Sequence, residues 1–211
     1  QSMQKKNLRA KHVLAVSHFF LEPIDDFRLL DQRLTIRIMC FSYVTISKAF
    51  YVSAFEVTNA MFEEFQPSHR KFRNTLNFSK DDDDAVLFVS WYDASQFCDW
   101  LTTKYGKAEG FRYRLLTESE WEYASRGGLD VSPYPWGGPY TRNIKGCFLA
   151  NFKPLRGNYV ADGGIKAIKT ASYNPNGYGL YDMSGNVAEW TSNAYDESAY
   201  SYSHDMNSDY H

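Results

Sequence analysis

Residues 129–186 hold five of the chain's seven prolines (Pro133, Pro135, Pro139, Pro154 and Pro175) and nine of its thirteen glycines. Proline lacks the amide hydrogen that a helix interior or a central strand needs, and glycine loses more conformational freedom on ordering than any other residue. So long a tract inside a compact domain has to be tied down by something other than helical or sheet ladders. Side-chain hydrogen bonds and metal ions are the ties available. The background of Tyr, Trp and Asn supplies the first kind, and aromatic residues make up 17% of the whole chain. Such side chains bring apolar area together with polar edges.

Charge and hydropathy exclude several partners. The formal charge is −2 and no block of five basic residues occurs, so nucleic acid is not expected. No segment reaches the roughly 18–20 apolar residues that span a bilayer. The best run, Val13 to Leu21, is interrupted by Ser17 and His18 and reads as core or interface. A signal peptide or lipid anchor, if there is one, is expected outside these residues. Cys40, Cys98 and Cys147 are too few and too widely spaced for a disulfide framework or a short zinc motif. Buried thiols are the expectation, with a single disulfide or one reactive thiol as the alternative.

Along the chain, Asp25-Asp26 before Phe27 to Leu30 reads as a helix start, and the β-rich run from Leu34 to Phe55 as one or two strands. Thr58 is a candidate N-cap for a short helix that Pro67 ends. The acids Asp81 to Asp84 read as a solvated loop rather than a cation site, and Ala85 to Val89 as a short apolar strand. Ser90 can cap a helix with Ala94, Phe97, Cys98 and Leu101 on its inner face; Thr117 and Glu120 form a capping box for another that Gly127-Gly128 stops. Each isolated histidine reads as surface or packing.

The stretch Asn174 to Thr191 is the most specific. Pro175-Asn176-Gly177 predicts a turn, with Gly177 free to take positive φ. Asp182, the carbonyls near Gly185 and Val187, and Glu189 then offer oxygen donors at close spacing, which permits a calcium site without requiring one.

Four passages in order, Phe55 to Asn59, Phe88 to Ala94, Tyr113 to Ala124 and Gly179 to Trp190, resemble the successive signatures of the formylglycine-generating-enzyme (sulfatase-modifying factor) family. The resemblance covers roughly residues 50 to 196. It implies an α+β fold, irregular and C-type-lectin-like, with few short helices and strands, over residues 49–211 without the family's C-terminal segment; residues 1–48 form an N-terminal segment. It also implies two structural calcium sites. One falls on Asp182, Gly185, Val187 and Glu189, and the other on Asn151, Phe152, Asp162 and Gly164. The family's oxidase cysteines belong to a late segment that none of Cys40, Cys98 and Cys147 matches, which implies no enzymatic activity here.

A narrower resemblance lies in Tyr134 to Asn143, Gly146 to Tyr159 and Ser198 to Asn207, which are similar to the gliding-motility lipoprotein K (PorK) group of the type IX secretion system. That likeness implies a non-catalytic outer-membrane lipoprotein at the periplasmic face. It would form a homo-oligomeric ring with the periplasmic partner protein N of the same system. Two alternatives stay open: a fragment of a formylglycine-generating or related copper-dependent oxidase acting on protein cysteine, and a lectin-like ligand-binding module.

Overall fold

The computed structural model of the protein describes residues 14–15, 27–30, 34–38, 42–46, 49–106, 112–152 and 167–194. Its strands are short. The first is β1 (Leu14–Ala15), followed by β2 (Phe27–Leu30), β3 (Leu34–Ile38), β4 (Ser42–Ile46) and β5 (Phe50–Ser53). The run from Leu34 thus forms three strands. β3 and β4 make an antiparallel hairpin, enclosed in sequence by the antiparallel pair of β2 and β5. Phe27 to Leu30 is therefore strand, not the helix expected after Asp25-Asp26. Four residues cannot by themselves meet the cost of nucleating a helix, whereas β5, with its aromatic and β-branched residues, offers them a ladder.

The capping signals set the helices. Thr58 Oγ1 accepts from Met61 N at 3.3 Å and starts α1 (Asn59–Phe65). A 3₁₀ turn over Pro67–Phe72 follows and buries His69, whose ring lies 4.8 Å from Phe62 and 4.9 Å from Phe72. Full capping boxes open α2 (Trp91–Leu101), by Ser90 and Asp93, and α3 (Glu118–Arg126), by Thr117 and Glu120. Glu120 also takes a two-pronged ion pair from Arg114 at 2.6 and 2.7 Å, which fixes α3 to the segment before it. Gly127, at φ 58°, ends α3 in the left-handed conformation.

Ala85, Val86, Leu87 and Val89 are buried, but Ala85 to Val89 is not the expected strand. One bridge, Thr58 to Ala85, holds it, and Phe88 at φ 62° turns the backbone out of the extended region. The acids beside it are exposed yet engaged: Asp82 pairs with Arg73 and Asp83 with Lys169, while Asp84 Oδ2 accepts from the amides of Lys80 and Asp81.

Two apolar clusters lie on opposite faces of the extended segment Tyr113 to Thr117. Tyr113 and Leu115 face Phe62, Phe97 and Cys98; Leu116 faces Phe50, Val52, Tyr123 and Leu180. This is the alternation a single strand-like segment imposes. Between Gly127 and Val187 the described residues form no helix or strand of their own, as the prolines and glycines predict. Side chains tie the tract down instead. Asn176 Nδ2 donates to the Ala124 carbonyl at 2.8 Å, and the Trp190 and Trp91 indoles donate to the carbonyls of Val89 and Thr191, each at 2.9 Å. Gly177 does not use the positive φ open to it. It is glycine because a Cβ there would strike the carbonyl oxygen of Gly127, while Gly179 supplies the positive φ, 77°. β6 (Ala188–Glu189) closes the chain back on β1 in parallel. No helix among the described residues is long and apolar enough to cross a membrane.

Candidate functional site

The loop 182–189 owes its path to residues that tolerate the left-handed region: Asp182 (φ 57°), Gly185 (φ 156°) and Asn186 (φ 64°). Gly185 is required for space as well, since a Cβ there would press on the backbone carbonyl of Asn151. Asn186 N donates to that same carbonyl at 2.7 Å. The Asn186 side chain binds four groups. Its Oδ1 accepts from Asn151 Nδ2 at 3.0 Å and Ile168 N at 2.8 Å; its Nδ2 donates to the Ile168 carbonyl at 3.1 Å and to Glu56 Oε2 at 2.6 Å. One amide thus sews together segments from residues 56, 151, 168 and 186.

Glu56 is wholly buried. Its Oε1 has no hydrogen-bond partner among the described residues. Burial raises its pKa well above the ordinary carboxylate value, and the charges of Asp182 and then Glu189 raise it further; the amides of Asn186 and Val187 pull the other way without prevailing. Asp182 Oδ2 accepts from Ala171 N at 2.7 Å, and Glu189 Oε2 accepts from the Trp121 indole. A buried carboxylate beside two others is costly unless a proton or a cation joins it.

The structure brings Asp182, Gly185, Val187 and Glu189 together as one loop, as their spacing allows, and sets Asn151 of the other expected set against it. Phe152 follows Asn151, its ring edge-on to Phe148 at 5.6 Å. Asp162 and Gly164 lie outside the described residues, as does Cys40. Among the described residues no three His, Cys, Asp or Glu side chains gather into a metal cluster by themselves. A cation here would draw on main-chain carbonyls and amide oxygens as well as carboxylates, and the donors present, all hard oxygens around the buried Oε1 of Glu56, fit calcium chemistry. Glu56, Asn186 and Trp121 carry no site role in the sequence reading. The available signal was an acid between Phe55 and Val57 in an otherwise apolar strand-to-helix passage.

The cysteines occupy contrasting places. Cys98 is buried on α2, where burial and then the charge of Asp99 push its thiol well above the ordinary range. Cys147 is exposed on the loop from Thr141 to Leu149.

The profile of the FGE-sulfatase family, the sulfatase-modifying factor enzyme 1-like domain, matches residues 29–209. The chain belongs to this family. Similar relatives include the inactive C-alpha-formylglycine-generating enzyme 2 of Bos taurus, 40% identical over 52% of this chain and 33% of that protein. The formylglycine-generating enzyme of Mus musculus is 44% identical over 51% of this chain and 26% of its own length. The serine/threonine-protein kinase pkn1 of Chlamydia pneumoniae is 39% identical over 52% of this chain and 14% of its own length. The matches to the two formylglycine relatives thus span a third or less of those proteins. Two solved structures share the fold: PvdO from Pseudomonas aeruginosa, TM-score 0.58 at 21% identity over 84% of this chain and 75% of that one, and CarF, TM-score 0.57 at 24% identity over 82% of each. The α+β, loop-rich architecture expected of an FGE-sulfatase domain is the one observed.

Proposed function

We propose that this FGE-sulfatase domain is a non-catalytic scaffold, braced by structural calcium, that serves as a ring subunit of the type IX secretion machinery at the periplasmic face of the outer membrane. The observation that carries the scaffold reading is the buried Glu56–Asn186 junction with Asp182 and Glu189 beside it, which spends polar groups on joining four chain segments rather than on an open cleft. The buried, hard-to-ionise Cys98 supports a non-catalytic role, because the thiolate is the reactive form. Relatives that carry the name inactive enzyme support it as well. The passages from Tyr134 to Tyr159 support the secretion setting through their likeness to the lipoprotein K group.

Calcium would be held by Asp182, Glu189 and the carbonyls of Gly185 and Val187, with Glu56 facing the same place, and would brace the loop 182–189 against the segments that Asn186 already joins. Asp182→Ala and Glu189→Ala should each lower the melting temperature in calcium, by roughly 1–2 kcal/mol of stability each. The double variant should show no rise with added calcium. A calcium-independent melt of the unaltered protein would overturn the metal reading.

The ring is tested separately. Co-expression with the periplasmic partner protein should give particles many times the mass of one chain by light scattering, and a strictly monomeric species would overturn the assembly reading. Identity to an active relative, 44% over 110 residues, favours the oxidase alternative. Aldehyde formation on a cysteine peptide by the protein supplied with copper and oxygen would establish it.

A further inference from the structure

We propose that the groove between the loop 141–149 and the segment 171–181 binds a short neutral oligosaccharide. The groove has a volume of about 410 Å³, and Phe148, Tyr173 and Tyr181 line it together with Asn143, Asn174 and Ser172. That volume lies within the range of small-ligand sites. No charged side chain is among its described lining residues, although 23% of the chain is charged. Among these described residues an anionic or cationic ligand would find no countercharge, the nearby Arg142 guanidinium being engaged by the Phe148 ring and the Gly146 carbonyl, and a purely apolar ligand would strand the amides and hydroxyls it covered. Rings set among uncharged amides and hydroxyls suit a neutral sugar, whose C–H faces lie against aromatic surfaces while its hydroxyls exchange hydrogen bonds with water for hydrogen bonds with amides.

The walls are held in place by contacts that leave binding groups available. Asn143 Oδ1 accepts from the amides of Lys145 and Cys147 at 2.9 and 3.0 Å, which closes the loop and leaves its Nδ2 uncommitted. The Arg142 guanidinium lies 3.6 Å from the centroid of the Phe148 ring and braces it. On the other wall Ala171 sits at φ 57°, pinned by its amide to Asp182 Oδ2, and Ser172 Oγ donates to the Lys169 carbonyl at 2.6 Å. The Asn174 side chain and the Tyr181 hydroxyl make no hydrogen bond among the described residues. A rigid frame with uncommitted neutral donors and acceptors loses little order on binding. An extended peptide is less suited, since the loop 141–149 is closed on itself by the Arg142–Phe148 bridge and offers no free ladder edge. None of the described lining residues belongs to the expected calcium sets.

The test is isothermal titration of the purified chain, in calcium buffer, with cellotriose, maltotriose and the N-acetylglucosamine trimer, and with an uncharged Ser/Gly/Asn peptide as control. At least one trisaccharide should bind saturably and the peptide should not. Asn174→Ala and Tyr181→Phe should each weaken that binding about threefold to tenfold, the effect of one neutral hydrogen bond. Their melting temperatures should match that of the unaltered chain, because each change removes only an uncommitted group. Failure of all three sugars to saturate, binding unaffected by both substitutions, or saturable binding of the peptide that the same substitutions weaken would each overturn the proposal.

Discussion

In EDTA at neutral pH, Glu56→Gln is expected to melt higher than the unaltered protein, and in calcium the order is expected to reverse. The Glu56 carboxylate is fully buried, has an oxygen without a hydrogen-bond partner, and faces the charges of Asp182 and Glu189. Glutamine keeps an acceptor for Asn186 and Val187 and replaces the orphaned oxygen by an N–H that two carboxylates attract. Relief of that burden corresponds to about 1–3 kcal/mol. Calcium acts in the opposite sense, because at a hundredfold excess over its dissociation constant it stabilises by about 2.7 kcal/mol. For a chain of this size that is a rise of very roughly 5–10 °C, and most of it should vanish in the variant.

The pH dependence follows from the same group. Its folded pKa is raised above the ordinary 4.5. The native state therefore holds the proton more tightly than the unfolded state does. The stability this contributes is complete below 4.5 and is lost as pH climbs through the raised folded value. In EDTA the unaltered protein should thus fall behind Glu56→Gln progressively above pH 4.5. Curves that stay parallel would show that Glu56 is not the strained group, and a calcium response retained in full by Glu56→Gln would remove it from the cation's surroundings.

Gly177→Ala should be among the most damaging additions of a single methyl group at the described residues. The new Cβ would sit against the carbonyl oxygen of Gly127, itself a left-handed cap that cannot shift without unwinding the end of α3. Backbone faces backbone there, so no side chain can rotate away. Moving the turn would break the bonds from Asn176 to the Ala124 and Ser125 carbonyls. A loss of about 3 kcal/mol or more is expected. Gly138→Ala serves as the control, since nothing lies within 4 Å of that position and only its backbone angle, φ 73°, is strained. Equal melting temperatures for the two variants would show that the close approach carries no weight.

How much of this was legible in the chain depended on the sequence distance between partners. The caps at Thr58, Ser90 and Thr117 act within three residues and were readable one helix at a time. The buried face of α2 follows from spacing alone. The family motifs located Asp182, Gly185, Val187 and Glu189 on one loop. Glu56 lies inside the Phe55 to Asn59 motif, yet what makes it unusual is the company of residues far along the chain. Phe27 to Leu30 was misread for a related reason: its strand identity comes from β5, and nothing local announces that ladder. Ala85 to Val89 has a strand's composition, but its neighbours provide a single bridge, and Phe88 turns away. Gly177 was correctly marked as special and given the wrong cause, since a carbonyl in α3's cap, not the turn's own dihedral, excludes a side chain.

The bond from Asn186 to Glu56 spans 130 residues. At the rates of protein synthesis the second partner leaves the ribosome about 6 to 26 s after the first. Throughout that interval Glu56 remains hydrated and ionised, and the two tryptophan ties, Trp91 to Thr191 and Trp190 to Val89, are equally unable to form. The domain therefore assembles late and from distant pieces, with the slow, non-local folding that such separations impose. Nascent chains halted before residue 186 should remain protease-sensitive between α1 and α3 even though α1, α2 and α3 have already been made.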